Sequence, residues 1–308
     1  MVARSISKRD SQKEKKAYKI KWLYQCFGIT KQAYYKRIKA RSKREMEAIT
    51  IKNLIAEHRK DQTRIGIEKL HLDMRDELRG ENIKMGRDKL FAFARNNDLL
   101  VKKTKRYHIT TDSKHHFYKS PNLIKDLLPS RAEQIFVTDI TYIKLADKHA
   151  YLALVTDLYS KKIMGYSLED NMKVGMVKDA LRMALNQCIH NRDTIIHHSD
   201  RGIQYCCPDY SEFATGKGMV LSTTEKYDPY ENAVAERING ILKYEFGMVK
   251  TIPNLETAKK MIKQSVEVYN NKRRHRSLRM QTPSFAHTNQ QHTYVSYRRG
   301  LDQRVECW

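Results

Sequence analysis

The sequence predicts an α/β chain: one mixed sheet flanked by helices in its middle, preceded by a wholly helical, helix-turn-helix-like region. Three observations predict it. Residues 135–143 and 151–157 are rich in β-branched and aromatic side chains, as strands are. Shorter strand and helix patterns alternate after them, which builds a single mixed α/β layer. Ahead of residue 100, the apolar residues recur only at helical spacing.

In order along the chain, a polar arm leads into two short helices around Gly28, within residues 20–39. Ile20, Leu23 and Phe27 give the first an apolar face, and Thr30 is placed to cap a second helix ending near Lys39. The second helix carries Lys31, Tyr34, Tyr35, Lys36 and Arg37, which suits a helix lying in a DNA groove. Three more helices follow between residues 46 and 98: one with Ile49, Ile51, Leu54 and Ile55, one with Ile67, Leu70, Leu72 and Leu78, and one after Gly86 with Leu90, Phe91 and Phe93. They can form a small bundle, which fits a second DNA-binding unit and a plain helical domain equally well. Residues 101–129 are basic and irregular, with Lys102, Lys103, Lys105 and Arg106, and read as a linker tracking along phosphates. The two long strands then precede a helix over 171–190, a strand over 194–197, a helix over 210–217, a strand over 219–222 and a helix over 231–249. A last helix ends near Asn270, and Arg273, Arg274 and Arg276 after it suit phosphate contact as well as a solvated face. The predicted divisions are a basic arm with the helix-turn-helix-like segment (1–44), a helical DNA-binding bundle (45–100), a basic linker (101–133), the α/β core (134–250) and a C-terminal helix with a basic tail (251–308).

Charge follows these divisions. The 308 residues hold 59 Lys+Arg against 35 Asp+Glu, a net of +24 that requires a polyanionic partner or a very solvated surface. Basic residues outnumber acidic ones by 15 to 2 in residues 1–44, 19 to 14 in 45–133 and 11 to 4 in 251–308, whereas 134–250 has 14 against 15. Two basic flanks around a neutral, acid-containing centre suggest nucleic-acid grips on either side of something else. No run approaches the roughly 18 apolar residues of a membrane span, and the first ten residues lack the apolar stretch of a signal peptide. The expectation is a soluble, intracellular protein with no membrane partner. Cys26, Cys188, Cys206, Cys207 and Cys307 include no C-x-x-C pair and read as ordinary thiols.

The middle holds three carboxylates that such a sheet can bring together. Asp139 interrupts the β-rich run Val137-Thr138-Asp139-Ile140-Thr141-Tyr142, where an acid is costly unless it faces a polar site. Asp200 follows the strand ending near His197, and α/β sheets hold ligands at the carboxyl ends of their strands. Glu236 lies on the later helix, with Lys243 about 20° short of two full turns away and Asn232 about 40° off. One face thus presents an amide, a carboxylate and an ammonium. Converging carboxylates repel one another and need cations. All-oxygen ligands completed by water and phosphate favour Mg²⁺, or Mn²⁺ as a substitute. Two such ions activate a water or a 3′-hydroxyl for in-line displacement at phosphorus. Asp139 takes the bridging role, with Asp200 on one ion and Glu236 on the other.

On these residues the sequence resembles the DDE transposase and retroviral-integrase superfamily, and within it the second-reading-frame transposases of the bacterial insertion-sequence-three family. The stretches that carry the resemblance are Val137-Thr138-Asp139-Ile140-Thr141-Tyr142, His198-Ser199-Asp200-Arg201-Gly202-Ile203-Gln204-Tyr205, Tyr230-Glu231-Asn232-Ala233-Val234-Ala235-Glu236, and the run from Tyr269-Asn270-Asn271 through Arg276-Ser277-Leu278, with Thr282-Pro283 following. Between Asp200 and Glu236 lie 35 residues, the spacing that names the family's signature, and Lys243 stands where the family has a basic residue. Residues 63–72 and 99–103 resemble the segment ahead of the family's core. The resemblance implies an RNase H-like catalytic core that binds double-stranded DNA at terminal inverted repeats, frees a 3′-hydroxyl and joins it to target DNA. It further implies a homo-oligomer working on DNA in the bacterial nucleoid, with Asn232 and Lys243 touching terminal DNA beside the scissile phosphate.

The sequence departs from the family in three places. Gln134-Ile135-Phe136-Val137 stands where a Trp is usual, and Glu231 replaces the more frequent Asp; neither touches a proposed ligand. Residues 1–55 show no sustained heptad pattern, so a first-reading-frame companion protein, or a fusion to it, is expected to supply the zipper module. Asp157, the rival acid, is read as capping the turn before Lys161. His197 and His198 are read as packing groups that orient the loop before Asp200, and His115 and His116 lack the cysteine pair of a zinc finger. Two other functions fit the same features: a DNA-binding repressor whose core no longer reacts, which the three intact acids argue against, and a ribonuclease on the same fold.

Overall fold

The computed structural model describes residues 20–102, 116–125, 127–190, 194–225, 232–291 and 294. Residues 1–19 of the basic arm and residues 103–115 of the linker, Lys103, Lys105 and Arg106 among them, lie outside them. The first helix, α1 (Ile20–Cys26), turns at Gly28, whose φ of +62° is one that side chains disfavour. Thr30 then caps α2 as expected, its Oγ1 accepting from the Ala33 N–H at 3.1 Å. The helix does not end near Lys39. It runs unbroken as Lys31–Asp61, so the expected boundary at residue 44 falls inside it. No Gly or Pro interrupts these 31 residues, and i,i+4 pairs such as Arg41–Glu45 at 2.8 Å brace the stretch where the charge composition changes.

Only the end of α2 is buried, through Ile51 and Ile55. These two meet α3 (Ile67–Asp73), α4 (Arg75–Gly80) and α5 (Arg87–Asn96) around Leu70, Met74, Leu78 and Leu90, which closes the expected bundle. The single helix expected over 67–78 is two, divided at Met74.

The core is a five-stranded sheet in the order β3-β2-β1-β4-β5: β1 (Ile135–Lys144), β2 (His149–Asp157), β3 (Ile163–Glu169), β4 (Ile195–Ser199) and β5 (Met219–Thr223). The first three form an antiparallel meander, and β4 and β5 run parallel to β1. This is the expected RNase H-like arrangement. Strand β3 was absent from the sequence reading because Gly165 and Ser167 break its β-branched pattern. Gly165 is required there: a Cβ would lie 2.1 Å from the Ala180 carbonyl oxygen on α6 (Val174–Asn186).

Alternation along the strands builds the two faces of the sheet. Ile135, Val137, Leu152 and Leu154 pack beneath α9 (Ala233–Glu245) and α10 (Leu255–Asn271). Phe136, Ala153 and Val155 point the other way, to α6 and to α8 (Pro208–Gly216), which follows the short α7 (Ile203–Cys206). Asp157 has the structural role expected of it: its carboxylate accepts from the Glu133 N–H at 2.8 Å and the Ser160 N–H at 2.7 Å. A buried network extends from it. Ser160 Oγ meets His287 Nδ1 at 3.1 Å, and His287 Nε2 lies 3.0 Å from Glu133 Oε1, which fastens α11 (Pro283–Asn289) to the sheet.

Candidate active site

Strand register builds the site. In the parallel β1–β4 pair, Val137 lies opposite His198, and beyond that pair the two strands carry Asp139 and Asp200 at the same end of the sheet, near enough for the Asp200 charge to act on Asp139. Adjacent strands are about 4.8 Å apart, so carboxylates there feel each other's charge. Asp139 shares the odd-numbered side of β1 with Ile135 and Val137, the side that α9 covers. That helix brings Glu236, Asn239 and Lys243 over it. Asn239 Nδ2 donates to Asp139 Oδ2 at 2.8 Å. The Gly202 N–H donates to Asp200 Oδ1 at 3.0 Å, a tight turn that holds the second carboxylate.

Electrostatics mark the three acids as one group. Burial, and then the Asp200 carboxylate, push Asp139 up to about 8, with Glu236 adding to the rise and the Asn239 hydrogen bond opposing it. Glu236 is raised as well, by desolvation and then by Asp200. Lys243 is lowered by burial, while Asp139 pulls it back toward its charged form. Its ammonium sits 4.7 Å from the centre of the Tyr142 ring. Tyr205 is buried in the cluster on the other face of the sheet, and the charges of Asp200 and Asp139 add to the rise that burial gives its hydroxyl.

Asn232 is placed differently from its expected contact with terminal DNA. It is buried, and its Nδ2 donates to the Thr138 carbonyl at 3.0 Å, which ties the start of α9 to the backbone beside Asp139. Asn239 is the residue that sequence reasoning missed. It lies three residues after Glu236 and four before Lys243, a spacing that places it on the same face of the helix. Among the described residues, the Oδ1 atoms of Asn232 and Asn239 are both buried without a hydrogen-bond partner, near the three mutually repelling carboxylates. That donor set suits a divalent cation with its water.

His197 and His198 are interior groups, as read from the sequence. Tyr210 Oη lies 2.8 Å from His197 Nε2, and His198 Nδ1 lies 2.9 Å from Ser222 Oγ. Lys31, Lys36, Arg37 and Lys102 are exposed, on α2 and just beyond the bundle. The C-terminal arginines have partners other than phosphate. Arg273 is 3% exposed and grips Glu245 with both Nε and Nη2 at 2.7 Å, while Nη1 reaches His275 Nε2 at 2.8 Å. Arg274 pairs with Asp73 and Arg276 with Glu68. The acids of the helical bundle attract this segment, which makes it a clamp between bundle and core. A further group with metal-ligand chemistry, Glu133, His190 and His287, has donor atoms within 4.8 Å of one another, but it belongs to the network that secures α11. Among the described residues, no helix is long and apolar enough to cross a membrane.

The integrase core domain family matches residues 129–229, and a second integrase core domain family matches residues 217–283. The chain is 31% identical over 259 residues to the insertion element IS600 uncharacterized 31 kDa protein of Shigella sonnei, covering 82% of this chain and 93% of that one. It is 32% identical over 171 residues to transposase InsF for insertion sequence IS3A of Escherichia coli, covering 55% of this chain and 59% of that protein. Among solved structures it is similar to the catalytic core domain of HTLV-2 integrase, with a TM-score of 0.41 and 19% identity, over 52% of this chain and 98% of that one. With integrase core domains matched over residues 129–229 and 217–283, and an insertion-element relative aligned along nearly its whole length, the chain belongs to the DDE transposases of the insertion-sequence-three type, enzymes of phosphoryl transfer on DNA.

Proposed function

We propose that this chain cuts and joins DNA strands at the ends of an insertion sequence, and that Asp139, Asp200 and Glu236 are the groups that hold its metal. The observation that carries this reading is that Asp139 on β1, Asp200 just past β4 and Glu236 on α9 lie close enough for their charges to raise one another, with Asp139 hydrogen-bonded through Asn239 to the helix bearing Glu236. A pair of Mg²⁺ ions, or Mn²⁺ in their place, would supply activation of a water or 3′-hydroxyl and charge neutralisation at the leaving oxygen. Asp139 feels the charge of both other acids and would be the carboxylate shared between the ions. Asn239 fixes the direction of its carboxylate, and Asn232 fixes the strand beside it. Lys243 presents a cation next to the acids, where a phosphate of the terminal DNA would lie.

The partner is double-stranded DNA, both the inverted-repeat ends and the target. Exposed Lys31, Lys36, Arg37 and Lys102 belong to basic flanks that grip it, with Lys103 next in sequence. Two ends must be held for joining, which calls for a homo-oligomer on DNA, and the zipper module comes from a first-reading-frame companion. Intact carboxylates in mutual reach favour this reading over a repressor with an inert core.

The test is cleavage and joining of a labelled element end with Mg²⁺, comparing the intact chain with Glu236→Gln. The variant is expected to bind the end and fall to background cleavage. Equal activity in both chains rejects the site. Tight binding without cleavage by the intact chain, even with the companion supplied, favours the repressor.

A further inference from the structure

A cavity of about 380 Å³ lies between α3, α9 and the segment 273–277. Its lining positions on α9, which include Arg237, Ile241 and Glu245, fall about 100° to 180° around the helix from Glu236. One helix therefore presents carboxylate, amide and ammonium to the active site, and a second, separate surface to this cavity.

The lining is strongly basic, with six Lys and Arg side chains against two carboxylates. Both carboxylates are already engaged, Glu245 by the two-pronged grip of Arg273 and Glu68 by Arg276. Lys69 and Arg237 make no hydrogen bond or ion pair among the described residues. Lys69 is half-buried, and burial followed by the nearby Arg273 guanidinium lowers it to about 8. An ammonium partly withdrawn from water, crowded by guanidinium groups and with its donors unspent, is stabilised by an anion. A phosphate fits better than a carboxylate: it offers several acceptor oxygens to a three-donor lysine and a planar arginine fork at once.

We propose that this cavity is a phosphate site, with Lys69 and Arg237 as its principal ligands, and that in the working complex the phosphate belongs to a DNA backbone. The DNA source rests on the function proposed above, whereas the phosphate chemistry does not. Such a site would anchor DNA at the junction of bundle and core, behind the helix that carries Glu236.

The test uses the full chain in metal-free buffer, where no cleavage runs. A short DNA duplex is titrated over a salt series into wild type, Lys69→Gln, Arg237→Gln and the double variant. In parallel, inorganic phosphate is added and thermal unfolding recorded. Each single variant is expected to reduce the salt slope of duplex binding by about 1, and the double variant by about 2. Phosphate should raise the melting temperature of wild type and not of the double variant. If the phosphate effect is lost while the duplex slopes stay equal, the site holds free phosphate and not DNA. If slopes and phosphate response are the same in wild type and double variant, the proposal is overturned. Arg237 is exposed, so Arg237→Gln keeps the test decisive if Lys69→Gln fails to fold. A chain that shows these slopes but never cuts DNA retains the phosphate site and loses the catalytic reading.

Discussion

At the scale of single residues, Asp139 has the most consequence. Burial and the neighbouring Asp200 push its carboxyl up to about 8 in the folded protein, far above the ordinary value of 3.8. A carboxyl raised by folding favours the protonated form, so the native state loses stability as pH climbs from the ordinary range through about 8. Asp139→Asn removes that loss. Without metal, the variant is expected to melt above wild type at alkaline pH and level with it near pH 4; thermal unfolding across pH measures this. Bound metal must displace the proton, so Mg²⁺ should stabilise wild type more strongly at alkaline than at acidic pH. Asn239 acts through Asp139. Asn239→Leu is expected to lower cleavage or metal affinity about 10- to 100-fold while leaving DNA binding in place, measured by metal titrations of the rate. Asp139, Asp200, Glu236 and Lys243 stand out in the sequence as candidates because each interrupts or phases a clear pattern. Asn239 does not, since an amide on a helix carries no charge signature and its role depends on which strand lies opposite.

At the scale of elements, legibility followed side-chain chemistry. Strands β1, β2, β4 and β5 were found from their β-branched content, and β3 was missed where a glycine was needed for packing. That need gives a prediction. Gly165→Ala forces a methyl into the Ala180 carbonyl of α6 and is expected to cost about 3 kcal/mol, read from urea unfolding at unchanged slope. A loss under about 0.5 kcal/mol would mean that α6 is not seated on β3 as described. The long helix α2 was misread for the opposite reason. A change in charge composition at residue 44 resembles a domain boundary, yet helix propagation depends on backbone and propensity, and Ala, Lys, Arg, Glu and Met continue it without a break.

At the scale of the whole molecule, the C-terminal arginines were read as a face for phosphate because sequence shows their charge and not their partners. The acids that claim them come from residues 68 to 245, far away in sequence. Arg273→Met would take both side-chain hydrogen bonds from the mostly buried Glu245 and leave only the charges of Lys69 and Arg237 near it, an expected loss of about 3 kcal/mol. Arg276→Gln breaks a pair whose arginine is exposed and should cost about 1 kcal/mol or less. Urea unfolding of the two variants side by side checks the contrast. The unbroken α2 has a consequence of another kind. About 30 Å of helix separates Lys31 from Ile51 in the bundle, at 1.5 Å per residue. For a duplex lying along it that is about nine base pairs, close to one full turn. On such a duplex the tip of the helix and the bundle at its foot would face nearly the same side, at a separation counted in residues.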